Sequence, residues 1–181
     1  IRIDPNESTG VSVILIDKNG NNLISVVLGA NLNYTFDDFL KAEATIQNSG
    51  IVGFQLENDH DMVFQALKQC KKWGIPTYLD PAPAIPLPDQ IYQAIDIIKP
   101  NETEASILTG MKVETPKQAC EAAHWLQNHG VKKVIITLGS QGAVITEDDN
   151  ILHLSTPDVV AIDSTGAGDI FSGAFLTSYL V

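Results

Sequence analysis

The sequence predicts an α/β protein, a three-layer α-β-α arrangement on a mostly parallel sheet with a small β-hairpin at its N-terminus. Three observations predict it. Strand-like and helix-like segments alternate from residue 36 onward, and the strand-like ones are almost wholly apolar. Polar, Pro-rich or Gly-rich turns follow the carboxyl ends of those strands. Apolar strands alternating with amphipathic helices are the pattern of a sheet covered by helices on both faces.

The elements follow in order. Residues 11–16 and 23–28 are β-rich, and Lys18-Asn19-Gly20-Asn21 supplies a turn between them, which predicts an antiparallel hairpin. Residues 36–48 have helical spacing, 51–54 form a short buried strand, and 61–73 form an amphipathic helix. Strands are expected over 76–79 and 95–98. One helix starts at Asn101, and a second at Thr115-Pro116, with Thr as N-cap and Pro as the first helical residue. Residues 134–138 are a fully apolar strand, 143–146 and 151–154 a second hairpin, 159–162 a final strand, and the last helix begins at Gly166. The expected division is 1–31 as part of a β-lid returning to the main sheet, and 32–181 as the α/β domain, truncated at its C-terminus.

Composition narrows the function. The chain has 181 residues, 44% of them hydrophobic, enough for one domain with a core. Net charge is −11, which argues against a nucleic-acid partner, because an acidic surface repels phosphate backbones. No apolar run reaches the roughly 20 residues that span a bilayer, and no leader pattern opens the chain, so a cytoplasmic protein without membrane contact is expected. Cys70 and Cys120 lie in helical segments without metal-ligand spacing and read as reduced packing residues. His60, His124, His129 and His153 are scattered, none pairs with a motif, and all read as surface or packing residues. The start at Ile1 and the stop within the apolar stretch 170–180 predict a fragment cut at both ends.

The chemistry is expected beyond the strand ends, where ligands bind in open α/β sheets. Gly166-Ala167-Gly168-Asp169 lies between a strand and a helix. Small residues admit a ligand close to the backbone, and first-turn N–H groups with the helix dipole form an anion hole. A carboxylate in that turn, Asp169, is placed to accept a proton from an attacking hydroxyl. A plain alternative stays open: Asp163 or Ser164 caps the helix and Asp169 only complements the dipole. A dinucleotide fingerprint would need Gly or Ala at Phe171, and a P-loop would need a Gly-Lys-Ser/Thr ending, so both are excluded.

The run over residues 163–176, DSTGAGDIFSGAFL, resembles the C-terminal signature of the ribokinase-like (PfkB) carbohydrate kinases. Gln55-Leu56-Glu57, Asp80-Pro81-Ala82-Pro83-Ala84, Leu87-Pro88-Asp89, Lys99-Pro100-Asn101-Glu102-Thr103-Glu104-Ala105 and the stretch from Ile136 to Gly142 look like the ribose-phosphorylating branch of that family. The resemblance implies a ribokinase-like, Rossmann-like fold and transfer of the ATP γ-phosphate to the 5-hydroxyl of D-ribose. It makes Asp169 the base beside the sugar and Gly166, Ala167 and Gly168 the anion hole. Asn101, Thr137, Gly139, Ser140, Gln141, Gly142 and Gly168 become nucleotide contacts, and Glu57 a ribose contact. It further implies Mg²⁺ held by Glu104 through water, and an activating K⁺ at Asp163 and Thr165. The opening hairpin becomes a lid over the sugar that pairs with a second subunit in a homodimer, with Gly29-Ala30-Asn31 as its return.

Each of these residues has a structural reading beside the functional one. Asn101 and Glu104 have the spacing of a capping box, Gly139-Ser140-Gln141-Gly142 that of a plain turn, and Glu57 that of a solvated strand end. Lys132 and Lys133 read as a solvated face. Two other functions remain open: another sugar or nucleoside kinase of the family, and a non-catalytic sugar- or nucleotide-binding regulator on the same fold. The fragment itself is expected to have little activity.

Overall fold

Two β-rich stretches joined by a short turn pair locally. A computed structural model, which describes residues 1–17, 22–147, 150–159 and 163–180, pairs β1 (Val11–Ile16) with β2 (Asn22–Val27) antiparallel, Val11 opposite Val27. The connecting turn at 18–21 lies outside the described residues. The hairpin is its own two-stranded sheet, and Val11, Val13, Leu15, Leu23 and Val27 are exposed on it. Gly29–Asn33 follows as a 3₁₀ turn.

The helix expected over 36–48 is broken into α1 (Phe36–Lys41) and α2 (Glu43–Gln47) at Ala42, whose φ of −93° and ψ of 7° leave the helical region. The apolar spacing runs unbroken through this bend, so periodicity does not register it. Thr35 and Asp38 close a capping box at the start of α1, and Phe39 stacks on Trp73 at 5.9 Å.

Beyond α2 the chain alternates as expected. It forms β3 (Val52–Phe54), α3 (His60–Trp73), β4 (Thr77–Leu79), α4 (Asp89–Tyr92), β5 (Ile97–Ile98), α5 (Glu102–Thr109), α6 (Pro116–Asn128) and β6 (Lys133–Thr137). The antiparallel hairpin β7 (Ala143–Glu147) and β8 (Asn150–Leu154) follows, then α7 (Ala167–Tyr179). Pro88 precedes α4, a short helix without a periodic signature that the sequence reading missed. Asp59 caps α3 by accepting from the Met62 N–H at 2.9 Å, and Thr115 caps α6 with Pro116 in the first turn.

The six-stranded sheet runs β3-β4-β5-β6-β7-β8. Its first four strands are parallel and the last two antiparallel, so the sheet is mixed. Successive strand residues face opposite sides. Leu79, Ile98, Val134 and Ile136 enter the main core with α3, α5 and α6. Tyr78, Ile97 and Ile135 face the other side, where Phe171, Phe175 and Leu176 of α7 cover them. The final strand expected over 159–162 falls almost wholly on undescribed residues, and Val159 is not in a strand.

Candidate active site

The parallel strands deliver their carboxyl ends to one edge. Asp80 follows β4, Lys99 follows β5, and Gly139 opens a 3₁₀ turn (Gly139–Gln141) just beyond β6. Two cavities open along this edge, of about 690 and 700 Å³, and Gln55, Asp80 and Asp169 line both.

The first turn of α7 forms the wall between them. Gly166 is its N-cap, at φ 74°, and no side chain caps the helix. The capping half of the open alternative is thereby decided: neither Asp163 nor Ser164 is the cap, and Asp163 instead accepts from the Thr165 N–H at 2.8 Å. That bond holds the Asp163 carboxyl below the ordinary carboxylate range. The Ala167 N–H donates to the Ser164 carbonyl at 3.1 Å. Helix geometry leaves the Gly168 and Asp169 N–H groups without an intrahelical partner, and both residues line the second cavity, at a helix N-terminus that favours an anion. Asp169 itself is exposed.

The other wall of the second cavity is built by α5 and the turn after β6. Asn101 and Glu104 close a capping box: Asn101 Oδ1 accepts from the Glu104 N–H at 2.9 Å, and Glu104 Oε2 accepts from the Asn101 N–H at 2.8 Å. Burial pushes the Glu104 carboxyl up, opposed by that N–H bond, and nearby Asp80 raises it further. Gly142 has φ 87°, and a Cβ there would stand 1.9 Å from the Leu154 carbonyl oxygen, so only glycine fits.

A model of the pfkB family carbohydrate kinases matches residues 1–181. The chain belongs to this family. It is 40% identical over 169 residues to the ribokinase of Staphylococcus aureus, covering 93% of this chain and 56% of that protein. It is 36% identical over 177 residues to the deoxyribokinase of Salmonella typhi, covering 97% and 58% respectively. Among solved structures, that of Arabidopsis thaliana ribokinase complexed with ribose and ATP superposes with a TM-score of 0.82 at 37% identity, covering 97% of this chain and 57% of that one. The chain spans somewhat more than half the length of the curated relatives it matches.

For a member of this family, the structure gathers most of the expected residues in one place. Asn101, Glu104, Thr137, Gly139, Gly142, Gly166, Ala167, Gly168 and Asp169 all line the second cavity. Ser140 and Gln141 do not. Gln141 turns away, its Nε2 donating to the Glu114 carbonyl at 3.0 Å, while its own carbonyl lies 2.6 Å from His153 Nε2. His153 therefore does contact a motif, contrary to the sequence reading, because the β7–β8 hairpin folds back beside the loop. Glu57 is half-buried next to Gln55 and Asn58, which line the first cavity where it does not. Lys132, expected on a solvated face, is exposed and pairs with Asp96 at 2.5 Å. Cys70 and Cys120 are free thiols, as expected.

Sequence reasoning missed Asp80, Lys99, Ser172 and Tyr78 as site residues. Lys99 Nζ pairs with Asp80 Oδ2 at 2.8 Å, both side chains nearly buried. Ser172 Oγ lies 3.1 Å from that same Oδ2 and 2.8 Å from the Gly168 carbonyl, and accepts from the Tyr78 hydroxyl at 2.8 Å. One signal was available: Lys99 and Asp80 are charged residues abutting apolar strand ends. No cluster of three or more His, Cys, Asp or Glu able to hold a metal ion occurs among the described residues.

Proposed function

We propose that the protein of which this chain is part is an ATP-dependent sugar kinase that transfers the γ-phosphate to the 5-hydroxyl of D-ribose. The observation that carries this reading is Asp169. This exposed residue lines both cavities, which suits a carboxylate that serves a hydroxyl in one and a phosphate in the other. The first cavity takes the sugar and the second takes the nucleotide, whose transferring phosphoryl lies against the first turn of α7. Asp169 accepts the hydroxyl proton as attack begins, and the Gly168 and Asp169 amides stabilise the charge that develops on the phosphoryl oxygens. Phosphoryl transfer needs positioning and charge neutralisation more than covalent help, which suits a site built from backbone amides and one base.

Mg²⁺ fits here as a metal held mainly by waters and phosphate oxygens. Glu104 contributes through water, since Mg²⁺ takes few protein ligands and Glu104 Oε2 already accepts from Asn101. When bound, the metal neutralises phosphate charge. Asp163 and Thr165 are assigned to a K⁺ site that orders the loop before α7. The exposed apolar residues of β1 and β2 support a lid that closes over the sugar and pairs with a second subunit, in a cytoplasmic homodimer.

The test is ADP release by the full-length protein on a panel of ribose, deoxyribose, fructose 6-phosphate and adenosine, with and without K⁺. Ribose is expected to give the highest kcat/KM. Preference for another member of the panel sinks the ribose assignment, and ATP binding without release of ADP on any of them favours a binding regulator.

A further inference from the structure

Asp80 and Lys99 are charged and nearly inaccessible, with side chains 9% and 5% exposed; Asp80 lines both cavities and Lys99 the second. Removing two charges from water is costly, and an apolar pair of equal volume would hold the fold as well. Their placement gives the pair something an apolar pair could not do.

Both backbones are locked into the sheet. The Asp80 N–H donates to the Phe54 carbonyl at 2.9 Å, and the Lys99 N–H to the Leu79 carbonyl at 3.0 Å. From that base the side chains reach α7. Asp80 Oδ2 holds Lys99 Nζ and lies 3.1 Å from Ser172 Oγ, one turn along from Gly168 and Asp169. A Cβ on Gly168 would stand 3.4 Å from Lys99 Nζ, so the ammonium lies directly under the first turn. That helix has no fully buried residue among those described, and Phe171, Phe175 and Leu176, further along it, pack against the sheet. Its N-terminal end rests on polar groups.

We propose that the Asp80–Lys99 pair is a positioning element for phosphoryl transfer, seating the first turn of α7 so that the Gly168 amide and Asp169 meet the substrate in register. This rests on the reading of that turn as the transfer site. The pair acts through α7 and takes no proton from the substrate. Small displacements matter in such a site, where 1 Å of misplacement lowers the rate by about 10²-fold.

The experiment compares wild type, Lys99→Met and the double variant Asp80→Asn/Lys99→Met in the full-length protein. Lys99→Met alone leaves Asp80 buried and unpaired and is expected to lower Tm. The double variant removes both charges and is expected to recover most of the lost Tm. Its kcat is nevertheless expected to stay roughly 10- to 100-fold below wild type, with KM for sugar changed far less. Hydrogen exchange over residues 166–172 of the ligand-free double variant is expected to quicken by about 10-fold relative to α3 and α6. A double variant with wild-type Tm, wild-type kcat and unchanged exchange in this segment overturns the proposal. Should it fail to fold, Asp80→Asn alone decides: lowered kcat with faster local exchange supports the proposal, and wild-type values for both overturn it. A wild type inactive on every sugar refutes the kinase reading, while the exchange comparison still judges the positioning role.

Discussion

The Tyr78 hydroxyl donates to Ser172 Oγ over 2.8 Å, tying β4 to α7 across 94 residues of sequence. Burial pushes the Tyr78 phenol far above its ordinary range, partly offset by the Ser172 bond and reinforced by Asp80, Asp169 and Glu104. The phenol therefore stays protonated and donating at any pH at which the protein is handled. Tyr78→Phe keeps the ring against Phe175 and removes only this bond. Its expected effect is a loss of about 1 kcal/mol in a denaturant titration.

Asp169→Asn retains size and hydrogen bonding while removing the proton acceptor. Turnover is expected to fall by roughly 10²- to 10⁴-fold. ATP affinity, followed by calorimetry, is expected to hold, since the amides and the Asn101 wall are untouched. Turnover close to wild type would remove Asp169 from the mechanism.

Gly142→Ala puts a methyl group where the Leu154 carbonyl oxygen stands 1.9 Å away, at a φ of 87°. A loss of about 2 kcal/mol or more is expected, read from the unfolding midpoint. Because Gly142 lines the second cavity, KM for ATP is expected to rise more than KM for the sugar.

Asp38 accepts from Lys41 and from Thr35, and these bonds, the Lys41 one foremost, hold its carboxyl down at about 2. A depressed folded-state value means that the stability it contributes is present above the ordinary value of 3.8 and is lost as pH falls towards 2. Asp38→Asn is expected to flatten the acid limb of the stability profile between those values. A mutant whose acid limb superimposes on wild type would refute the assignment.

Much of the site was legible from residue order because its parts are local. The Asn101–Glu104 capping box and the Thr115-Pro116 helix start involve residues within three positions of each other, where sequence spacing and spatial distance amount to the same thing. The bend at Ala42 left no trace, since it interrupts the backbone without interrupting the apolar period. The direction of the Gln141 side chain, towards the Glu114 carbonyl, was not legible, because a turn motif fixes the path of the backbone but not the side of it to which each side chain goes.

The loop that opens α7 divides the same way. Residue order alone determined that Gly166-Ala167-Gly168-Asp169 joins a glycine-rich turn to a helix with a carboxylate in its first turn, because those are properties of a few adjacent residues. Only the tertiary structure decided that neither Asp163 nor Ser164 caps that helix, that Asp169 borders two cavities, and that the Asp80–Lys99 pair and Tyr78 both meet the helix at Ser172. Those relationships join strand ends distant in sequence, and it is the parallel pairing of β4, β5 and β6 that brings them to a common edge.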